Sequence, residues 1–262
     1  MPIESEHGFR PDPKLNKPKT PDNETYDVSR IEKKLEELQA DPKQMENAIK
    51  MAKGRALDMF ESGELQKFIG KDDNVLYLGN GTGHVAQKIE EETGAKIFKL
   101  DIADMRLPDT KDKKFALGNA RRLPIKPESM DVVFLSDMLH HCVNQEEILR
   151  EVHAVLKKGG KVILLEDTMP EPENKLKRKT VEKIFGKVDD ALNFQSKGVN
   201  PRNYHSIGEW IKILSDEGYE VDDIISWYWG VSDFLPDSIK PGRGTIQEVE
   251  QPGAKKRRVV GG

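Results

Sequence analysis

Five residues, Gly79-Asn80-Gly81-Thr82-Gly83, lie between a short apolar run, 74–78, and a segment of helical spacing that opens at His84. Glycines at such a junction let the chain turn sharply and approach a ligand without a Cβ in the way. The N–H groups that open the following helix have no partner within it. Asp101 ends the next apolar run, roughly 20 residues beyond the loop. An acidic side chain at that point of an α/β unit accepts hydrogen bonds from ribose hydroxyls. Loop and carboxylate together point to a ligand that carries a nucleoside. Two common ligands of that kind fit poorly. A dinucleotide fingerprint wants its last glycine where His84 stands, and the G-x-x-x-x-G-K-[ST] phosphate loop is absent from this turn.

Strands and helices must alternate to hold these residues, and the hydrophobic pattern predicts that they do. Ile31, Leu35 and Leu38, then Ile49, Ala52, Ala56, Leu57 and Phe60, recur at helical spacing and predict helices near 31–39 and 45–60. The run 95–100 alternates as a strand does, and 114–117 is a weaker strand. Residues 131–135 form a continuous apolar run that suits a strand covered on both faces. A helix over 145–156 turns Ile148, Leu149, Val152, Val155 and Leu156 inward, with Gly159 expected at its left-handed cap. A buried-type strand over 161–166 follows. The alternation calls for a parallel α/β sheet. Farther on, the pattern predicts a charged helix or lid over 173–192 and a helix over 206–217 that ends at Gly218. An imperfect strand over 220–229 closes in the aromatic group Trp227-Tyr228-Trp229, which reads as core rather than the lining of an acceptor pocket, and 257–260 reads as a last strand or a tail.

The chain has 262 residues, 42 Lys+Arg against 46 Asp+Glu, a hydrophobic share of 36% and a charged share of 34%. That suits one large domain diluted by polar ends. Residues 1 to 22, rich in proline and charge, are expected to be a disordered or loose arm. No apolar run approaches the ~20 residues that cross a bilayer, and the opening segment lacks the apolar stretch of a secretory signal. The single cysteine, Cys142, excludes an internal disulfide framework and a cysteine-built zinc site. It fits a reducing compartment, so a cytoplasmic setting and no metal are expected. Mild acidity argues against wrapping nucleic acid by bulk charge. The run Lys255-Lys256-Arg257-Arg258 is read as a solvated tail rather than a nuclear address.

Several ordered stretches resemble the class I S-adenosylmethionine (SAM) methyltransferases, in the small-molecule branch that includes the ubiquinone/menaquinone-type enzymes. Val75 to Gly83 resembles their first motif, Gly118 to Ile125 the stretch over the adenine, and Asp131 to Cys142 the strand and loop that face the methyl donor. Glu147 to Gly160 and Val162 to Glu166 are similar to the helix and strand that follow. The likeness covers about 74–167 and fades on either side. It implies a Rossmann-like, mostly parallel α/β sheet with an N-terminal helical cover, and SAM as cofactor. It implies that Gly79, Asn80, Gly81, Thr82 and Gly83 meet the methionine part. Asp101 would hold the ribose, and Ile102 would pack on the adenine. Asn119 and Ala120 would meet the adenine edge, and Ser136 would lie beside the methionine part. His140 and His141 follow the donor-facing strand, and histidine titrates in the range of a general base; Asp137 is the alternative. Tyr26-Asp27 resembles a pair that closes over SAM.

The sequence departs from the family at three places. Asn80 stands between the first two glycines, Asn119 replaces an aspartate, and Tyr77 occupies the position of the usual first-strand acid. These changes motivate a second reading, a catalytically degenerate SAM-binding partner or regulatory subunit. Fibrillarin-like RNA methyltransferases share only the opening of the motif, and an NAD oxidoreductase is disfavoured by His84. The expected organisation is an arm over 1–22, a helical cover over 23–70 and a SAM-binding domain over 71–235. An acceptor-site insertion lies near 169–204, and an extension spans 236–262. The expected activity is methyl transfer to a small-molecule acceptor.

Overall fold

The computed structural model of the protein describes residues 28–61, 63, 65–111, 114–192, 203–221, 226–227 and 243–246. The expectations for the arm over 1–22, Tyr26-Asp27, Tyr228, Trp229, the basic run and the 257–260 strand lie outside these residues.

Among the described residues seven strands form one sheet: β1 (Asn74–Leu78), β2 (Lys96–Asp101), β3 (Phe115–Leu117), β4 (Met130–Ser136), β5 (Leu156–Asp167), β6 (Ser226–Trp227) and β7 (Arg243–Ile246). Their order is β3-β2-β1-β4-β5-β7-β6. The first five pair in parallel, and β7 runs antiparallel to both β5 and β6. The chain steps outward from β1 to β3 and then crosses back to place β4 on the other side of β1. At such a reversal the connections leave in opposite directions, and a crevice opens beyond the carboxyl ends of the strands. The parallel α/β sheet expected from the alternation, and the Rossmann-like, mostly parallel form that the resemblance implies, are observed.

The continuous apolar runs of β1 and β4 are explained by burial on both faces. On one face Leu76, Leu78, Val133 and Leu135 pack in a core with α4 (Gln145–Val155) and α6 (Ile207–Asp216), through Ile148, Leu149, Trp210 and Leu214. On the other, Val75, Tyr77, Val132 and Phe134 meet α2 (Pro42–Glu61) and α3 (His84–Thr93), through Ala56, Met59, Phe60 and Ile89. Burying each large aliphatic side chain contributes about 1.5–3 kcal/mol. The helix α1 (Val28–Gln39) packs on α2, which covers this face of the sheet. Ser206 caps α6 with a reciprocal capping box to Glu209, and Gly218 follows the helix with φ +83°.

Three local expectations are corrected. Leu57, one of the residues at helical spacing in α2, is exposed, and Met59 is buried instead. Gly159 is left-handed, at φ +77°, yet it caps no helix: α4 ends at Val155 and Gly159 lies within β5. Pairing between β4 and β5 jumps from Met130↔Leu156 to Val132↔Lys161, so the glycine serves a bulge. Finally, Arg243–Ile246, which carries no strand pattern in a stretch read as extension, pairs between β5 and β6. Backbone pairing to an open sheet edge needs no hydrophobic alternation. Among the described residues no helix is long and apolar enough to cross a membrane.

Candidate cofactor cleft and active site

The glycine loop sits at the mouth of the crevice, where β1 ends. Gly79, Gly81 and Gly83 all have positive φ, at +70°, +53° and +91°. A Cβ on Gly79 would lie 2.7 Å from Met138 Cγ, and one on Gly83 would lie 2.7 Å from Thr110 Oγ1. These two glycines are thus required by backbone angle and by close packing of neighbouring loops. The Thr110 hydroxyl donates to the Thr82 carbonyl at 2.6 Å, which fastens the loop from outside.

Asp101 ends β2 beside this loop. Its Oδ2 accepts from Gly81 N at 2.7 Å, and its Oδ1 accepts from Ile102 N at 2.7 Å and Ala103 N at 3.4 Å. Burial pushes its carboxyl up to about 6, against the pull of the three backbone donors. Gly118 N donates to the Asp101 carbonyl at 2.9 Å, which brings the 118–120 turn alongside. In that turn Asn119 Oδ1 accepts from Arg121 N at 2.9 Å. The carbonyl expected to face an adenine therefore already serves the turn with one lone pair. Ile102 is half-buried against Ala103 and Met105, and Ala120 packs against the core. Asn80 is 3% exposed, and its amide nitrogen and oxygen have no partner among the described residues. An unpaired buried amide of this kind costs free energy until a ligand or water meets it.

The loop after β4 supplies the second half of the site. Ser136 is buried, and its hydroxyl donates to Asp137 Oδ2 at 3.3 Å. His140 and His141 follow in a single tight turn, both buried, with ring centroids 4.0 Å apart. Glu166, near the end of β5, organises this turn. Its Oε1 accepts from Met138 N at 3.0 Å and Leu139 N at 2.6 Å, and its Oε2 meets His140 Nδ1 at 2.5 Å. Burial disfavours the His140 imidazolium, but the Glu166 carboxylate outweighs it and holds the imidazole up at about 9. Burial also pushes Glu166 upward. The pair therefore keeps a shared proton to higher pH than a free imidazole would. His140 stacks on Tyr204 at 4.9 Å, and Tyr204 meets Phe185 edge-on at 5.2 Å. Phe185 and Val181 belong to α5 (Lys175–Leu192), so this helix roofs the turn that carries the two histidines.

The predicted residues thus gather along the carboxyl edge of the sheet in two linked groups, joined where Met138 packs on Gly79. Two participants were missed. Glu166 carried a signal, a carboxylate near the end of an apolar strand, as Asp101 does. Arg55, which reaches from α2 to form an ion pair with Asp137, had no signal in a charged helix. His84, not assigned to the site, is buried at the start of α3 between Thr82 Oγ1 at 3.2 Å and Asp109 Oδ2 at 3.3 Å. Among the described residues no group of three or more His, Cys, Asp or Glu could hold a metal ion.

A family model described as a methyltransferase domain matches residues 76–164. The chain is 30% identical over 175 residues to a demethylmenaquinone methyltransferase of Alkalihalophilus pseudofirmus, covering 62% of this chain and 72% of that one. It is 29% identical over 114 residues to a malonyl-[acyl-carrier protein] O-methyltransferase of Marinomonas, covering 39% of this chain and 42% of the relative, so it spans less than half of that enzyme. The solved structure of the YcgJ protein of Bacillus subtilis superposes with a TM-score of 0.56 at 16% identity, covering 76% of this chain and 100% of that chain. At that identity the likeness is one of fold.

Proposed function

Because the chain belongs to the class I SAM-dependent methyltransferases, enzymes whose methyl donor is that cofactor, we propose that its acceptor is a small molecule received beneath α5. The observation that carries this is the roof. Val181 and Phe185 of α5 pack with Tyr204, which in turn stacks on His140 after β4. In this reading residues 71–235 are the catalytic unit, 23–70 its cover and 169–204 the acceptor-site insertion.

The residues present fit the cofactor. The unpartnered Asn80 amide lies in the glycine loop and offers a donor and an acceptor, and Asp101 stands against the same loop. Gly79, Asn80, Gly81, Thr82 and Gly83 would hold the methionine part together with Ser136. Asp101 would hold the ribose, Ile102 would lie on the adenine face, and Asn119 and Ala120 would meet its edge. When bound, SAM supplies an electrophilic methyl on a sulfonium. The chain's own contribution is alignment of the acceptor and exclusion of water. His140, fixed through Nδ1 by Glu166, holds a proton at neutral pH and orders the turn. His141 beside it takes the proton released by the acceptor.

Release of S-adenosylhomocysteine (SAH) from SAM tests this reading against a panel of small phenols, quinols and carboxylic acids. Demethylmenaquinone, the substrate named for one relative, is added to the panel. The expected result is release above the acceptor-free rate with a small compound, and its loss in Asp101→Ala. Release that required a folded protein or an RNA as acceptor would contradict it.

A further inference from the structure

We propose that Arg55 and Asp137 form a clamp for the methionine end of the cofactor, their ion pair opening so that Arg55 takes the α-carboxylate and Asp137 the α-ammonium. This rests on the assignment of SAM to the Gly79–Gly83 cleft. Members of the resembled family carry an acid two positions before the first glycine, and here that position is Tyr77. The tyrosine is 3% exposed and lies within electrostatic reach of Arg55 and Asp137. The carboxylate that β1 lacks is supplied one strand away, immediately after β4.

Asp137 is well placed for this. Its neighbour Met138 packs directly on Gly79, and its own N–H donates to the Leu165 carbonyl at 2.8 Å, which fixes it at the strand ends. Asp137 also has φ +48°, in the left-handed region that side chains rarely adopt. Such strain persists where surrounding structure enforces it and clusters at ligand sites. Arg55 comes from α2, and its side chain is 30% exposed against 8% for Asp137. A second tie, Lys53 to Asp109 at 2.8 Å, holds α2 to the far side of the glycine loop. The exchange is balanced: a zwitterion brings one charge of each sign, so one ion pair becomes two and no buried charge is stranded. The unpartnered Asn80 amide lies next to Gly79 at this same end of the cleft.

Calorimetric titration with two probes tests the clamp. SAH carries the amino-acid end, whereas 5′-methylthioadenosine has the same nucleoside and a thioether but no zwitterion. Arg55→Met and Asp137→Asn are each expected to weaken SAH binding roughly tenfold to hundredfold, the range of a lost charge-assisted hydrogen bond. Binding of 5′-methylthioadenosine should change by less than about threefold, because it never meets the pair. Arg55→Lys should recover part of the SAH affinity. Asparagine tolerates the left-handed backbone, so Asp137→Asn carries the test even where Arg55→Met fails to fold. Folded variants that bind SAH as the wild type does, or that lose both ligands equally, would overturn the clamp. A wild-type protein that bound neither ligand would instead refute the cofactor assignment on which it rests.

Discussion

Gly79→Ala is expected to weaken SAH binding at least tenfold and to lower folding stability by roughly 2–5 kcal/mol, the sum of a left-handed backbone penalty and an overpacked contact. Both contributions are visible. The residue has φ +70°, and the added methyl would lie 2.7 Å from Met138 Cγ and 2.9 Å from Met138 Cβ. The second contact is close to the backbone, so the β4 loop itself must move, and with it Asp137 and the histidine turn. Gly218→Ala separates the two contributions. Gly218 has φ +83° but nothing within 4 Å of the position a Cβ would take. That variant should lose only the backbone portion, about 1–2 kcal/mol, and keep SAH affinity. Denaturant unfolding and calorimetric titration of both variants measure this. Equal losses in the two, with SAH binding intact in each, would mean that the contact between the glycine loop and the β4 loop does not shape the site.

Glu166→Ala should cost about 3–5 kcal/mol, because it removes the buried partner of His140 and leaves two backbone N–H groups without their acceptor. The pH dependence gives a sharper signature. In the folded protein His140 is held up at about 9, above its ordinary value of 6.5. Its contribution to stability is therefore complete below about 6.5 and is lost as the pH rises through about 9. Glu166, itself pushed up by burial, does not reverse this sign, since a carboxyl raised in the fold also loses stability as the pH rises. Wild-type stability should thus decline between about pH 6.5 and 9, by an amount on the order of a few kcal/mol. Glu166→Gln keeps the shape and removes the charge, so the decline should flatten. NMR titration of the His140 ring protons reads the same event directly. A His140 midpoint near 6.5 in the wild type, unmoved by Glu166→Gln, would show that the pair does not hold the shared proton.

What could be read from the sequence follows what each signal depends on. β1 and β4 were legible because strands buried on both faces leave uninterrupted apolar runs. The glycine loop and Asp101 were legible because their chemistry is local: a turn, a strand end and a fixed spacing between them. Gly159 shows the limit of local reading. Its left-handed backbone was foreseen, but whether it ends a helix or bulges a strand depends on how β5 pairs with β4. β7 was invisible because Arg243–Ile246 earns its place by pairing with β5 and β6 rather than by its own pattern. Arg55 lies 82 residues from Asp137, and nothing in a charged helix distinguishes the one cation that reaches the strand ends. His140 was legible as a titratable group, yet its state depends on Glu166, 26 residues away on another strand.

A crystal structure of the protein grown with SAH tests the central claim most directly. The account predicts the nucleoside at the carboxyl edge of the sheet, with ribose hydroxyls on Asp101 and the adenine between Ile102 and Asn119. The amino-acid end should lie along Gly79–Gly83, within hydrogen-bond reach of the Asn80 amide. SAH bound away from Asp101 and the glycine loop, or crystals without the ligand at saturating concentration, would contradict it.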